Sequence, residues 1–214
     1  MEVRDLKTRS GADRGVTPRL VLASASPRRI ELLRGRGYEF VVEPSSINEE
    51  RADPGEMFSP VERAERLSHL KAADVAAKVR TGWLLAGDTI AALGTRIFGK
   101  PAGREDARRI LTSLMGTVHE VITGVALLRA EDGWFETGSA VTRVTMRRLS
   151  VSELESYLAG GQWIGKAGAY GIQDRDDPFV ESIDGSFSNV VGLPLELVEP
   201  LLARHGIVPT VSPR

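Results

Sequence analysis

Arg19-Leu-Val-Leu-Ala23 is a short apolar run that ends directly in Ser24-Ala-Ser26-Pro27, and it constrains the fold more than any other segment. A run of this kind, without polar alternation, suits a strand buried on both faces, which needs neighbours beside it and cover above and below. Ser26 at the N-cap and Pro27 at the first helical position then open a helix carrying Ile30, Leu32 and Leu33. Gly35-Arg36-Gly37 closes that helix. The same junction carries chemistry. Free backbone N–H groups and the dipole at a helix start favour an anion. Arg28 and Arg29 in the first turn oppose the dipole, and a bound phosphate would remove the conflict by accepting from both guanidinium groups. A surface helix with solvated arginines is the competing reading of these residues alone.

Further along, Glu39-Phe-Val-Val-Glu43 reads as a second strand, followed by a loop of Pro, Ser, Asn and Glu. A helix is expected from Ser59 or Pro60 to about Lys78, with Ala64, Leu67 and Lys71 on one stripe. Trp83 to Gly87 reads as a strand with Asp88-Thr89 at its carboxyl end. Ala107, Ile110, Leu111, Leu114 and Met115 follow helical spacing. Thr117 to Arg129 and Phe135 to Leu149 read as long strands joined at Glu131-Asp132-Gly133, and short helices are expected at 151–159 and about 194–205. A hairpin is expected around Asp184-Gly185. Strands and helices alternate without a linker, so the class is α/β or α+β. Residues 1–17 are polar and aperiodic and are expected to form a flexible extension; 18–208 form one domain and 209–214 a tail.

Composition narrows the function. With 214 residues, 42% of them hydrophobic, and a net charge of −1, the chain is an ordinary globular protein without the basic excess of a nucleic-acid binder. It has no Cys, which excludes disulfides and thiol catalysis. No apolar leader or membrane-length run is present, so a cytoplasmic protein with no membrane partner is expected.

Several other residues could do chemistry. Asp88 could hold a metal or activate a water, or merely cap a turn. Gly94-Thr-Arg-Ile-Phe-Gly99-Lys100 imitates a phosphate-binding P-loop, but Pro101 lacks the hydroxyl that magnesium needs, so a strand turn is the better reading. Lys100 could neutralise a phosphate or sit in solvent. Lys71 could aim its ammonium into a polar cleft or snorkel outward. Glu49 and Glu50 could ligate a metal or be solvated. Gly and Ala in Lys166-Ala-Gly-Ala-Tyr-Gly-Ile-Gln173 permit close backbone approach to a flat ligand, and the Gln173 amide suits a nucleobase edge. His69, His119 and His205 lack metal-ligand spacing.

Together, Leu22-Ala-Ser-Ala-Ser-Pro-Arg-Arg29, Ala86-Gly-Asp-Thr-Ile90, Gly99-Lys-Pro101, Gly116-Thr-Val-His119, the 166–173 segment and Phe187-Ser-Asn-Val-Val-Gly-Leu-Pro194 resemble the Maf nucleotide pyrophosphatases, in order from about residue 19 to 203. The resemblance implies an elongated α/β fold with a mixed central sheet flanked by helices, in two lobes around a nucleotide-binding cleft. It implies hydrolysis of a nucleoside triphosphate at the α-phosphate with a divalent cation, Mg or Mn, in the cytoplasm. It makes Asp88 the proton acceptor and, with Glu49, the metal site. Ser24, Arg28, Arg29, Lys71 and Lys100 then surround the triphosphate, while Arg29, Thr89 and Gln173 bear on base choice. The Ala-Tyr-Gly-Ile-Gln form resembles the branch acting on dTTP and UTP. Asn48 replaces a common acidic residue, and Asp174-Arg175-Asp176-Asp177 replaces a common Gly-x-Gly. The balanced charge implies no stable nucleic-acid partner, and a homodimer is left open. The alternatives are a nucleotide-binding regulator of cell division with little turnover and a non-specific phosphatase releasing inorganic phosphate.

Overall fold

The computed structural model describes residues 19–49, 58–172 and 179–211. Glu50, Gln173 and Asp174 to Asp177, together with the expected N-terminal extension, lie outside the described residues.

The opening run forms β1 (Leu20–Leu22), buried throughout and paired in parallel on both sides, with β2 (Val41–Val42) and β3 (Trp83–Leu93). Parallel pairing forces crossovers. Helix α1 (Pro27–Gly35) supplies the first, and α2 (Pro60–Ala76) lies on the path from β2 to β3. The two helices cover opposite faces. Leu20, Leu22 and Leu85 pack with Leu33 of α1, whereas Val21, Ala23, Leu84 and Ala86 pack with Ala72 and Val75 of α2. Among the described residues the sheet has seven strands in the order β2-β1-β3-β5-β6-β7, with β4 (Arg96–Phe98) attached to β3. Strands β5 (Val118–Arg129) and β6 (Phe135–Met146) form the long antiparallel pair anticipated around residues 131–133. The sheet is therefore mixed, and helices flank it.

Helix α3 (Arg104–Leu114) buries Ala107, Ile110, Leu111 and Leu114 of the expected stripe, while Met115 becomes its C-cap. Helix α4 (Val151–Gly160) and α2 each begin with a reciprocal capping box, Ser150 with Glu153 and Ser59 with Glu62. Around Asp184-Gly185 the structure departs from the expected hairpin. Strand β7 (Val180–Asp184) pairs with β6, and Gly185, at φ 129°, turns the chain into the short helix α5 (Phe187–Val191), which the Ser186 side chain caps. That serine and the left-handed glycine stop the strand before it can return on itself. Helix α6 (Leu195–Arg204) completes the layer over β1. Thr210, placed in a tail by the sequence, donates its N–H to the Gly37 carbonyl at 2.9 Å. No described helix is long and apolar enough to cross a membrane.

Strand β3 is where the sequence expectation needs most revision. Asp88 does not end a strand; it sits midway along one, because Ala86 to Ile90 continue to pair with β5. The break lies on the other edge. Pairing with β1 stops at Leu85, and pairing with β4 begins only at Ala91. No described strand covers β3 between these points, so Gly87, Asp88 and Thr89 face a gap in the sheet. Directly across from Asp88 stands Gly124, where an added Cβ would lie 2.2 Å from the Ala64 backbone of α2. The helix rests on bare backbone there, which brings the residues one and two turns along to the level of Asp88.

Gly124→Ala is therefore expected to lift α2 off the sheet and destabilise the protein by about 1–3 kcal/mol. Thermal or denaturant melting checks this, and an unchanged midpoint would show that the helix is not seated as described.

Candidate active site

Lys71 projects from the buried stripe of α2, its side chain 11% exposed, and its Nζ lies 2.5 Å from Asp88 Oδ1 and 2.8 Å from Glu49 Oε1. Of the two sequence readings for Lys71, the inward one holds, because Ala64 and Leu67 on the same stripe are buried against the sheet. Two carboxylates converging on one point repel, and the ammonium between them offsets that repulsion. Burial would push the Glu49 carboxyl up, but Lys71, Lys100 and Arg29 outweigh it and hold the group below its ordinary value. Glu49 reaches this point because the loop after β2 is fastened to α2. Ser45 donates from Oγ and Ser46 from its backbone N–H to Asp74, at 3.0 and 2.8 Å. Asp74 was not singled out from the sequence, and a lone helix carboxylate gives no signal that it anchors a loop.

The opposite face of β3 carries Thr89 and the second cluster. Arg29 donates from Nε to the Gly192 carbonyl at 2.7 Å, from Nη1 to Ser24 Oγ at 3.1 Å and from Nη2 to Thr89 Oγ1 at 3.0 Å. Burial lowers the Arg29 guanidinium from its ordinary value, with Asp88 opposing that shift and Arg28 reinforcing it, yet a guanidinium stays charged. Arg29 thus ties α1, β3 and the turn after α5 together. Gly87 and Gly192 leave room for it: an added Cβ on Gly87 would stand 3.2 Å from Nε. Ser26 occupies the N-cap position as expected, but its side chain makes no capping hydrogen bond, so the first-turn N–H groups are left to other acceptors. Arg28 spans toward the far wall, donating to the Gly165 carbonyl at 3.3 Å.

That far wall is the 166–172 segment. It forms a single tight turn, Ala167 to Ala169, with Gly168 at φ 72° and Ala169 at φ 64°. Gly168 donates its N–H to the Gly99 carbonyl at 3.2 Å, joining this wall to the loop of Lys100. The P-loop imitation is a strand turn, as expected, with Leu93 paired to Arg96 across Gly94-Thr95. Tyr170 is held from behind by His119, whose Nε2 lies 2.8 Å from the Tyr170 hydroxyl. His119 had no expected role; it supports the wall rather than a metal.

All these groups open on one cleft of about 1120 Å³, lined by Ser24, Arg28, Arg29, Glu49, Lys71, Asp88, Thr89 and Lys100 among others. Eight of the nine site residues expected from the sequence are thereby brought together, and the ninth, Gln173, lies outside the described residues. Lys166 lines the same cleft and adds a cation the sequence reading gave no role. Cations on three sides and two carboxylates at the base suit a polyphosphate whose hydrolysis needs a proton acceptor.

The Maf-like protein family model matches residues 19–205. The chain belongs to the Maf family. The match begins at β1 and runs into the end of α6, so it takes in every strand and helix described above. Among similar proteins, this Maf chain is 47% identical over 184 residues to the dTTP/UTP pyrophosphatase of Geobacter sulfurreducens, covering 86% of this chain and 95% of the relative. It is 43% identical over 185 residues to the dTTP/UTP pyrophosphatase of Syntrophomonas wolfei, covering 86% and 96%. The dTTP/UTP pyrophosphatase of Rhodospirillum rubrum is 44% identical over 191 residues, 89% of each chain.

The buried His119 gives a pH prediction. Burial lowers its imidazole from 6.5 to about 4. Between those values the unfolded chain takes up a proton that the folded one refuses, so stability is full above the upper value and falls as pH drops toward the lower. The loss approaches roughly 3 kcal/mol. His119→Gln should flatten the melting temperature against pH across this window, and an acid limb as steep as in the unaltered protein would contradict the assignment.

Proposed function

We propose that this protein hydrolyses nucleoside triphosphates, dTTP and UTP in particular, at the α-phosphate, releasing the monophosphate and pyrophosphate in a cytoplasmic setting. The observation that carries the reading is the convergence of Asp88 and Glu49 on Lys71 at the base of a cation-lined cleft. The relatives named as dTTP/UTP pyrophosphatases support the substrate class.

Asp88 is the group we assign as proton acceptor. It is 4% exposed, in the gap of the sheet, with Oδ1 held by Lys71, so its orientation is fixed before substrate arrives. Arg28, Lys100 and Lys71 place positive charge where the α-phosphate and the leaving pyrophosphate gain negative charge. Ser24 and Arg29 form the floor beneath the phosphates. Little covalent work falls to the protein in such a displacement; orientation and charge neutralisation dominate. Lys100, exposed on its loop, is free to follow the leaving group.

A divalent cation, Mg or Mn, is the cofactor that this reading assigns to the two carboxylates. Asp88 Oδ1 and Glu49 Oε1 both lie against Lys71 Nζ at the base of the cleft, and no third His, Asp or Glu among the described residues joins them. That donor set matches a hard cation completed by substrate phosphate oxygens and water. Asp88 and Glu49 would hold it, and when bound it would supply Lewis-acid polarisation at phosphorus and a more acidic water.

A panel of nucleotides assayed with Mg²⁺ or Mn²⁺, reading pyrophosphate and inorganic phosphate separately, tests the proposal. dTTP and UTP should be preferred over purine triphosphates, with pyrophosphate as the product. Asp88→Asn should lower kcat by ~10²–10⁴-fold with the fold intact by circular dichroism. Release of inorganic phosphate alone, or an Asn variant of near-normal kcat, would overturn it.

A further inference from the structure

Strand β6 pairs with β5 from Phe135 to Thr145, but on its other edge β7 covers only Arg143 to Met146. Among the described residues no strand lies beside Phe135 to Thr142 on that edge. Both faces of the stretch are nonetheless covered. Ser139 donates to Glu65 of α2 at 2.7 Å, and Phe135 packs on His69 of the same helix with ring centroids 4.0 Å apart. On the other face Glu136 pairs with Arg204, and Gly138 faces Leu197 of α6. What stays open is the edge itself, a row of backbone N–H and C=O groups. None of these residues lines the cleft.

Sheets protect such an edge with Lys, Pro, a bulge or a very short strand. Phe135-Glu-Thr-Gly-Ser-Ala-Val-Thr142 has no Lys, Arg or Pro, and its one charge, Glu136, is turned to Arg204. The stretch is also self-complementary in one register. Residues directly opposite in an antiparallel pair share a face. A two-fold axis at Gly138, normal to the sheet, sets Phe135 opposite Val141 of a second copy, and Val141 opposite its Phe135. These two are 50% and 43% exposed and lie equally far on either side of Gly138. Thr137 then meets Ser139, and Glu136 meets Ala140, so no like charges oppose. Aromatic with β-branched and Thr with Ser are favourable cross-strand pairs. A slip of two residues would set Phe135 opposite Ser139, or opposite Arg143, which already lies beside β7.

We propose that this edge is an interface between two copies of the chain: β6 pairs antiparallel with β6 of a second copy about a two-fold axis at Gly138, joining two sheets into one. The contact is isologous, so it closes on a dimer and leaves no further edge of this kind. It satisfies the open row of backbone groups and covers the two exposed apolar side chains of the strand. An edge contact of this length is small, so a dimer that dissociates in the micromolar range is expected.

Sedimentation velocity of the full chain over a range of concentrations tests the association, and introduced thiols test the register. The chain has no Cys, so each thiol reports one contact. Opposite residues of an antiparallel pair lie about 4.5–5.5 Å apart at Cα, within the span of a disulfide. Gly138→Cys has room, because an added Cβ meets only the Leu197 side chain, at 3.5 Å or more. Under mild oxidation it should cross-link to itself. Phe135→Cys and Val141→Cys should each stay single alone and cross-link when mixed. Val141→Arg, with its fold checked by circular dichroism, should raise the dimer dissociation constant roughly 10-fold or more. An unaltered chain that sediments as a monomer at every concentration would overturn the proposal. So would a dimer that Val141→Arg leaves intact and Gly138→Cys does not cross-link, since the copies would then meet through another surface. Cross-linking of Phe135→Cys to itself would overturn the register.

Discussion

The ammonium of Lys71 reaches Asp88 from a helix and Glu49 from a loop, and around that point the cleft is arranged. Carboxylates this close, one of them only 4% exposed, would repel without a counter-charge. Lys71 can supply it because α2 lies on the sheet with backbone against backbone at Gly124. A side chain at that position would raise the helix and separate the charges. Packing at one glycine and electrostatics two turns away are thus parts of a single arrangement.

The gap in the sheet is the second condition. In a sheet fully paired along both edges, Gly87, Asp88 and Thr89 would have a second strand beside them, as Leu84 and Leu85 do. Here β1 ends early because Ser24-Ala-Ser26-Pro27 turns the chain into α1, and β4 begins late because Gly94 turns β3 back only at Leu93. The interval between them leaves a stretch of central strand without a strand partner on that edge, and its side chains alternate between two faces. Asp88 points to α2 and the carboxylates; Thr89 points to Arg29 and the buried hydroxyls. Asp88 and Thr89 are neighbours in sequence and yet belong to separate hydrogen-bond networks.

Arg29 shows why charge patterning misleads at the level of single residues. As the second of two arginines in a first helical turn it looks like a phosphate ligand, and it does line the cleft. Three of its donors are nonetheless taken by Gly192, Ser24 and Thr89. Its stiffness is as useful as its charge. Arg28, one residue earlier, is directed across the cleft to Gly165.

By itself the sequence determined most of the elements. The run at Leu20, the capping signals at Ser59 and Ser150, and the spacing of Ala107 to Leu114 each follow local rules, and local rules need no partner. The candidate site residues that the structure describes share one cleft, and they were named because their motifs, in order, resemble one family. Three things were decided only by tertiary structure. Asp88 looked like the end of a strand, since its pairing partner Gly124 lies 36 positions away and strand length depends on that partner. Asp184-Gly185 looked like a hairpin, since the turn residues serve equally well before a helix. The contacts of Asp74 and Thr123 left no trace in any motif, and the motifs that contain His119 and Asn189 did not reveal theirs, because each is a hydrogen bond to a group distant in the chain. Periodicity reports which face of an element is apolar; it is silent on which donor will meet which acceptor once the faces close.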